Sequence, residues 1–340
     1  MTYVIAEIGQ NHNGCEETAR KIINEAKRVN CDAVKFTIRD LDNEMTESMA
    51  SKPYKSCNSY GETYMEHREY LELSERKLSN LCHYAYSIGL DLVITMCSST
   101  LFDNPIIRDE ILPICKYIKV ASRDITNFLL IDKIALLDTP IILSSGLSNF
   151  QELTLTVQRL VKNKVILMHC VSKYPTMDRD ANLIRIQMLR DHFKAHEVGY
   201  SDHTIGYEAV KVAVALGATI IEKHITLDPL GKGSDHICSA DPETMRNMVR
   251  EIKCVNQLIG NPISVYENSR DDDIDKTRTK LMRSVCTSRG LRRGEILGKH
   301  NLCLISPGDG IPANRIYDFF GKAVNVDIPA KSKVSWEHLI

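Results

Sequence analysis

Eight short apolar runs, each followed by a segment with helical patterning, fill most of the chain and limit what it can fold into. "YVIAEI" leads to "CEETARKIINEAKRVN", "DAVKFTI" through a long polar loop to "SERKLSNLCHYAYSIG", and "LDLVITM" to "LFDNPIIRDEIL". "YIKVAS" leads to "NFLLIDKIALLD", "PIILSSG" to "FQELTLTVQRLVKN", and "KVILMHCV" to "NLIRIQMLRDHF". "EVGYSD" leads to "YEAVKVAVALG", and "TIIEKHITL" to "DPETMRNMVREIKCVNQLIG". Short apolar strands separated by helices call for a parallel sheet covered on its outer face. Eight such units over about 260 residues have the size of a (β/α)8 TIM barrel. A doubly wound open sheet is the alternative, but the first strand ends in "EIGQNHNG", which lacks the glycine spacing of a dinucleotide fingerprint.

Near residue 266 the texture changes. "ENSRDDDIDKTRTK" is highly charged, has no apolar stripe and reads as a linker. Beyond it, short pieces punctuated by Gly and Pro suggest a small β-rich domain. The expected division is therefore a barrel over 1–265, a linker over 266–282 and a compact domain over 283–340.

A net charge of −1 gives no electrostatic case for nucleic acid or an anionic membrane as partner. No run approaches the roughly 20 apolar residues of a membrane span. The start, "MTYVIAEIGQNHNG", reads as a first strand rather than a signal peptide, so a cytoplasmic location is expected. The eleven cysteines contain no C-x-x-C pair, and reduced, mostly buried thiols are expected.

Barrel active sites form at the C-terminal ends of the strands. Polar residues near those ends are Glu7, Asn11, His12 and Asn13, then Lys35 and Thr37, then Lys119, Ser122 and Asp124. Ser144, Ser145, His169, Ser172, Lys173 and Tyr174 follow, then Asp202, His203, Glu222 and His224. Strand alternation puts Ile220, Glu222 and His224 on one face and Lys223 on the other. Glu7 and Glu222 need cations to be buried, and Lys35 and Lys119 are within the same ring of strand ends. His203 and His224 end neighbouring strands about 4.8 Å apart, close enough to share one divalent ion. Lys35, Lys119, Ser144 and Ser145 suggest an anion site, to which "SSG" before a helix would add N–H donors. A metal beside a phosphate pocket suggests a phosphorylated substrate meeting a polarised carbonyl or an activated water.

These segments resemble the sialic acid synthase family, whose members condense phosphoenolpyruvate with an amino-sugar aldehyde. The resemblance lies in "AEIGQNHNG", "AVKF", "YGETYMEHREYLELS", "IKVAS", "PIILSSG", "HCVSKYPT", "GYSDHTIG", "ALGATIIEKHITLD" and "GKGSDHICS". "SVCTSRGLRRGEIL", "PGDGIP" and "GKAVNVDI" resemble the family's C-terminal antifreeze-like (SAF) domain. The resemblance implies a TIM barrel with a C-terminal cap lying over the partner subunit's site in a domain-swapped homodimer. It implies a divalent ion, manganese or magnesium, held by His203 and His224. Lys35, Thr37, Lys119, Ser122, Ser144 and Ser172 would hold substrate. Tyr174, Asp124 and Asp235 would lie around the acceptor or the reacting carbons, and the candidate catalytic residues are Asp235, Asp124, Glu222 and Asn13.

Four departures bear on the acceptor more than on the chemistry: Thr37 for Gln, "SSTLFD" for a "TPFD"-like motif, Asp124 for Glu, and Ser306 for an Arg before Pro-Gly. The acceptor is expected to be N-acetylmannosamine or a related hexosamine. Alternatives are a 6-phosphorylated sugar, whose second phosphate could meet His67 and Arg68, or the precursors of legionaminate, pseudaminate or spore-coat sugars. Two rival readings are a Schiff-base aldolase using Lys119 and a carbohydrate- or ice-binding module without catalysis.

Overall fold

In the computed structural model, residues 2–260 and 272–340 are described. The chain divides into two compact units, Met1–Ile259 and Gly260–Ile340.

The first unit is a closed barrel of eight parallel strands in sequential order. They are β1 (Tyr3–Glu7), β2 (Ala33–Ile38), β3 (Asp91–Met96), β4 (Cys115–Val120), β5 (Ile141–Ser144), β6 (Val165–Cys170), β7 (Glu197–Asp202) and β8 (Ile220–His224). Closure runs through β1 and β8, with Ile5 opposite Glu222 and Glu7 opposite His224. Helices α1 (Glu16–Arg28), α2 (Leu41–Glu44), α3 (Glu47–Ala50), α4 (Tyr64–Leu71) and α5 (Glu75–Ser87) come in the first half of the unit. Then follow α6 (Phe128–Ile134), α7 (Phe150–Arg159), α8 (Arg185–His192), α9 (Glu208–Ala215) and α10 (Pro242–Ile259). Among the described residues, no helix is long and apolar enough to cross a membrane.

Strand parity sorts the residues into two layers. One set, including Val4, Ala6, Val34, Phe36, Ile94, Ile118, Leu143, Leu167 and Ile221, packs in the large apolar cluster shared with the helices. The other set, Ile5, Ala33, Val93, Ile142, Ile166, Met168 and Ile220, fills the barrel interior. This plug makes the barrel a packed core, so any site sits above it, at the strand ends.

The helical pattern expected after β3 is broken in the structure. Residues Ser99–Asp103 and Leu112–Ile114 are 3-10 turns, with a single π turn at Ile106–Ile111 between them. Pro105 and Pro113 remove backbone donors that a continuous α-helix would need.

In the second unit, α11 (Asp272–Leu281) lies where a linker was expected; residues 266–271 of that expectation lie outside the described residues. None of its residues is buried. Its charges explain the helix without an apolar stripe: Asp272, Asp273 and Asp275 open it and Arg278 and Lys280 close it, matching the helix dipole. Two antiparallel strands follow, β9 (Ser284–Thr287) and β10 (Leu302–Ile305), with Leu302 opposite Thr287. Val285, Leu291, Leu297, Phe319, Val324 and Val334 form this unit's core, and Phe319 stacks on Trp336 at 4.3 Å.

Candidate active site

A cavity of about 400 Å³ opens above the barrel plug. Its floor is a ring of charges on inward-facing positions. Lys35 Nζ lies 2.6 Å from Glu7 Oε2 and 3.7 Å from Glu222 Oε2. Lys119 Nζ lies 2.5 Å from Glu222 Oε1, which also accepts from Ser201 Oγ at 2.9 Å. Lys35 further donates to Thr95 Oγ1 at 3.0 Å. Four buried charges therefore sum to zero, the condition under which ionised groups survive away from water.

The surroundings move their proton affinities apart. Burial pushes Glu7 up to about 7, against the pull of Lys35. Burial opposes ionisation of Glu222 as well, but the two lysines outweigh it and hold that carboxyl well below the usual range. Burial also depresses Lys119, only partly offset by Glu222.

Lys223 and Asp202 show the other side of the alternation. Both side chains are 0% exposed and pair at 2.7 Å. Asp202 Oδ1 also accepts from Tyr200 Oη and the Thr204 N–H, each at 2.9 Å. Neither residue lines the cavity, so this pair braces the outside of β7 and β8.

His203 and His224 meet at the rim with ring centres 5.5 Å apart. His203 Nδ1 is 2.7 Å from the Val171 carbonyl oxygen, which leaves Nε2 free for a ligand. His224 Nδ1 is buried without a hydrogen-bond partner and lies 3.8 Å from Asp235 Oδ2. Burial holds both imidazoles in the neutral form that metal coordination uses, His203 down to about 4. Among the described residues, no group of three or more His, Cys, Asp or Glu side chains is arranged to hold a metal ion. The residues present thus fit a divalent ion only as a two-imidazole site, its other positions left to water or substrate.

Gly9 makes this rim possible. Its φ is +53°, and a Cβ there would lie 3.1 Å from both the His224 ring and Asp235 Oδ2. Tyr174 packs 4.2 Å from the His203 ring, centre to centre.

Ser122, Ser144 and Ser172 also line the cavity. Ser144 Oγ is buried without a partner. Ser122 Oγ accepts from the Gly146 N–H at 3.0 Å and is 3.1 Å from Cys170 Sγ. Ser145, expected beside Ser144, is turned away and donates to the Met168 carbonyl at 3.1 Å. The N–H groups of the "SSG" segment are not free either. That of Ser145 bonds to Met168, that of Gly146 to Ser122, and the next helix starts only at Phe150.

Of the residues singled out in the sequence, Glu222, Asp235, Lys35, Thr37, Lys119, Ser122, Ser144, Ser172, Tyr174, Arg68, His203 and His224 line this one cavity. Asn13, Asp124 and His67 do not. Asn13, at φ +48°, donates to the Lys232 carbonyl and ties two rim loops together. Asp124 lies 3.3 Å from Arg123 Nε and accepts from Asn127. His67 stacks between Tyr54 and Tyr60 and accepts from the Tyr60 N–H, an ordinary satisfied core histidine. The sequence reading missed Arg39, Arg123, Thr95, Cys97, Cys170 and Ser201, which also line the cavity. Parity with Lys35 and Thr37 could have found Arg39, and parity with His203 could have found Ser201.

The profile of the NeuB family matches residues 22–264. The chain is 35% identical to N-acetylneuraminate-9-phosphate synthase of Drosophila melanogaster, over 94% of this chain and 91% of that one. It is 33% identical to N,N'-diacetyllegionaminic acid synthase of Legionella pneumophila, over 99% of this chain and 94% of that one. The crystal structure of N-acetylneuraminic acid synthetase from Leptospira borgpetersenii superposes with a TM-score of 0.68 at 28% identity, covering 81% of this chain and 90% of that one. With these matches across nearly its whole length, the chain belongs to the NeuB family of sialic acid synthases.

Proposed function

We propose that the chain condenses phosphoenolpyruvate with an open-chain amino-sugar aldehyde and water, giving a 3-deoxy-2-ulosonic acid and phosphate. The observation that carries this reading is the meeting in one cavity of two neutral imidazoles and a buried lysine pair.

Lys35 and Lys119 would offset the charges of phosphoenolpyruvate, with Ser122, Ser144 and Ser172 donating to its oxygens. C3 of phosphoenolpyruvate attacks the aldehyde carbon, forming the new C–C bond, and the aldehyde oxygen takes up a proton. Glu7 and Glu222, next to the lysines, can stabilise positive charge developing at C2. Water adds at C2 and gives up a proton, and the C2–O bond to phosphate then breaks to leave the ketone. Asp235 and Tyr174 stand beside the histidines, where the acceptor carbonyl would arrive. A divalent ion held by His203 and His224, manganese or magnesium, would supply Lewis-acid polarisation of the aldehyde when bound.

The 283–340 segment is proposed as the antifreeze-like cap, acting on a partner subunit's site in a homodimer. The test is phosphate release from phosphoenolpyruvate with a panel of six-carbon amino sugars. Release with at least one sugar is expected. No release with any sugar under metal-replete conditions overturns the proposal.

A further inference from the structure

One loop supplies two cavity residues with little structure of its own to place them. Between β8 and α10, Ser234 and Asp235 both line the cavity. The 3-10 turn His236–Cys238 begins only after Asp235. Just before it, Gly233 sits at φ +144°, a conformation that residues with side chains rarely adopt. A stretch with this freedom cannot by itself keep the Asp235 carboxylate 3.8 Å from the His224 ring. Its position must come from contacts made by other segments.

Those contacts grip the loop on both sides of Asp235. On the C-terminal side, Ser239 Oγ donates to the Asp235 carbonyl at 2.6 Å and accepts from Asn11 Nδ2 at 2.8 Å. On the N-terminal side, the Lys232 carbonyl accepts from Tyr60 Oη and from Asn13 Nδ2. The next N–H, that of Gly233, donates to Asn58 Oδ1 at 3.2 Å. The Lys232 ammonium also sits 4.4 Å from the centre of the Tyr60 ring. Asn58 and Tyr60 come from the excursion between β2 and β3, more than 170 positions away in sequence. Neither lines the cavity, and the chemistry proposed above uses neither.

The excursion is braced where it makes this grip. Pro53 and Thr63 form an antiparallel bridge, flanked by Tyr54 N–H on the Glu62 carbonyl and Tyr64 N–H on the Lys52 carbonyl, each at 2.9 Å. Asn58 and Tyr60 lie in the segment that this bridge closes. The Tyr60 ring stacks on Tyr70 of α4 at 4.4 Å, 7° from parallel. The Tyr70 carbonyl in turn presses on the loop after β1, where a Cβ at Gly14 would lie 2.2 Å from it. The excursion therefore acts as a strap, fixed to α4 and the β1 loop and reaching over to the β8 loop.

We propose that Tyr60 and Asn58 are positioning residues for Asp235: by holding Lys232 and Gly233 they keep its carboxylate at the His224 edge of the cavity, where the acceptor carbonyl arrives. The effect on turnover rests on the proposed condensation; the hold on the loop does not. The serines and lysines assigned to phosphoenolpyruvate stand on other strands and loops, so the strap serves the acceptor half of the site.

The test uses the full chain in the wild type, Tyr60→Phe, Asn58→Ala and Asn58→Asp. Tyr60→Phe removes the hydroxyl and keeps the ring stack. A misplacement of about 1 Å costs roughly 100-fold in rate, so kcat should fall about 10- to 100-fold with the KM for phosphoenolpyruvate unchanged. Asn58→Ala should behave alike, and Asn58→Asp, which keeps an acceptor for the Gly233 N–H, should recover most of that loss. In an Asp235→Asn background, Tyr60→Phe should add no further loss, as expected when one residue acts through the other. Hydrogen exchange over residues 228–240, followed by mass spectrometry without substrate, gives a readout independent of turnover. Exchange should be faster in Tyr60→Phe and Asn58→Ala than in the wild type and near the wild-type rate in Asn58→Asp. If Tyr60→Phe does not fold, Asn58→Ala carries the comparison, since that side chain is only half-buried. Should the wild type release no phosphate with any sugar, the proposed reaction falls, while faster exchange in the variants still supports the hold on the loop. Unchanged exchange overturns the inference. So does full kcat in Tyr60→Phe and Asn58→Ala, or a Tyr60→Phe loss of the same size with and without Asp235.

Discussion

Gly146→Ala is the substitution whose effect follows most directly from the geometry of the serine wall. A Cβ at position 146 would lie 2.6 Å from Cys170 Sγ, 2.9 Å from Ser122 Oγ and 2.9 Å from Ser172 Oγ. Three side-chain atoms therefore occupy the volume one methyl group would need. Two of them are the hydroxyls proposed to hold phosphoenolpyruvate. Overpacking of this kind costs about 1–3 kcal/mol of stability. Displacing one or both hydroxyls removes hydrogen bonds to a charged ligand, each worth about 1.5–3 kcal/mol. The expected result is a KM for phosphoenolpyruvate raised at least about 10-fold, with the KM for the sugar nearly unchanged. The assay is initial-rate phosphate release with either substrate varied, beside a thermal melt. Cys170→Ala in the Gly146→Ala background clears the closest clash and should recover part of the affinity, a non-additivity expected of atoms in contact. An unchanged KM for phosphoenolpyruvate in Gly146→Ala would refute the assignment of this wall.

Two further outcomes follow. Lys223→Met removes the cation that pairs with Asp202 in a fully buried place. It should cost about 3–5 kcal/mol, read as a lower denaturant midpoint, while the folded protein keeps its substrate KM values. Deleting residues 283–340 should cripple turnover while the barrel keeps its circular-dichroism melt; an undiminished rate in the truncated chain would refute the cap's contribution.

Much of the barrel could be read from periodicity, because a strand covered by helices outside and a plug inside must be apolar over most of its length. The same alternation separated Glu222 and His224 from Lys223, and that separation distinguishes cavity from brace. Ser145 was misassigned because its residue type says nothing about direction, and the turn after β5 points it at Met168. His67 looked like a phosphate ligand beside Arg68, but one helical step turns it into an aromatic stack. The grouping of three arginines in the cavity was hidden for a different reason. Arg39, Arg68 and Arg123 are scattered over more than 80 positions of sequence and reach one cavity from three places: just past β2, in α4 and in the turn after β4. Residues 272–281 lacked the apolar stripe that marks a packed helix, yet their charges alone suit one.

Titration of manganese into the metal-free protein, followed by paramagnetic resonance and by phosphate release in the same samples, tests the central claim most directly. The account predicts one tight ion per chain, activity that appears with it, and loss of both in His224→Ala without loss of the fold. Full phosphate release from exhaustively chelated wild type, or an ion bound as tightly by His224→Ala, would contradict it.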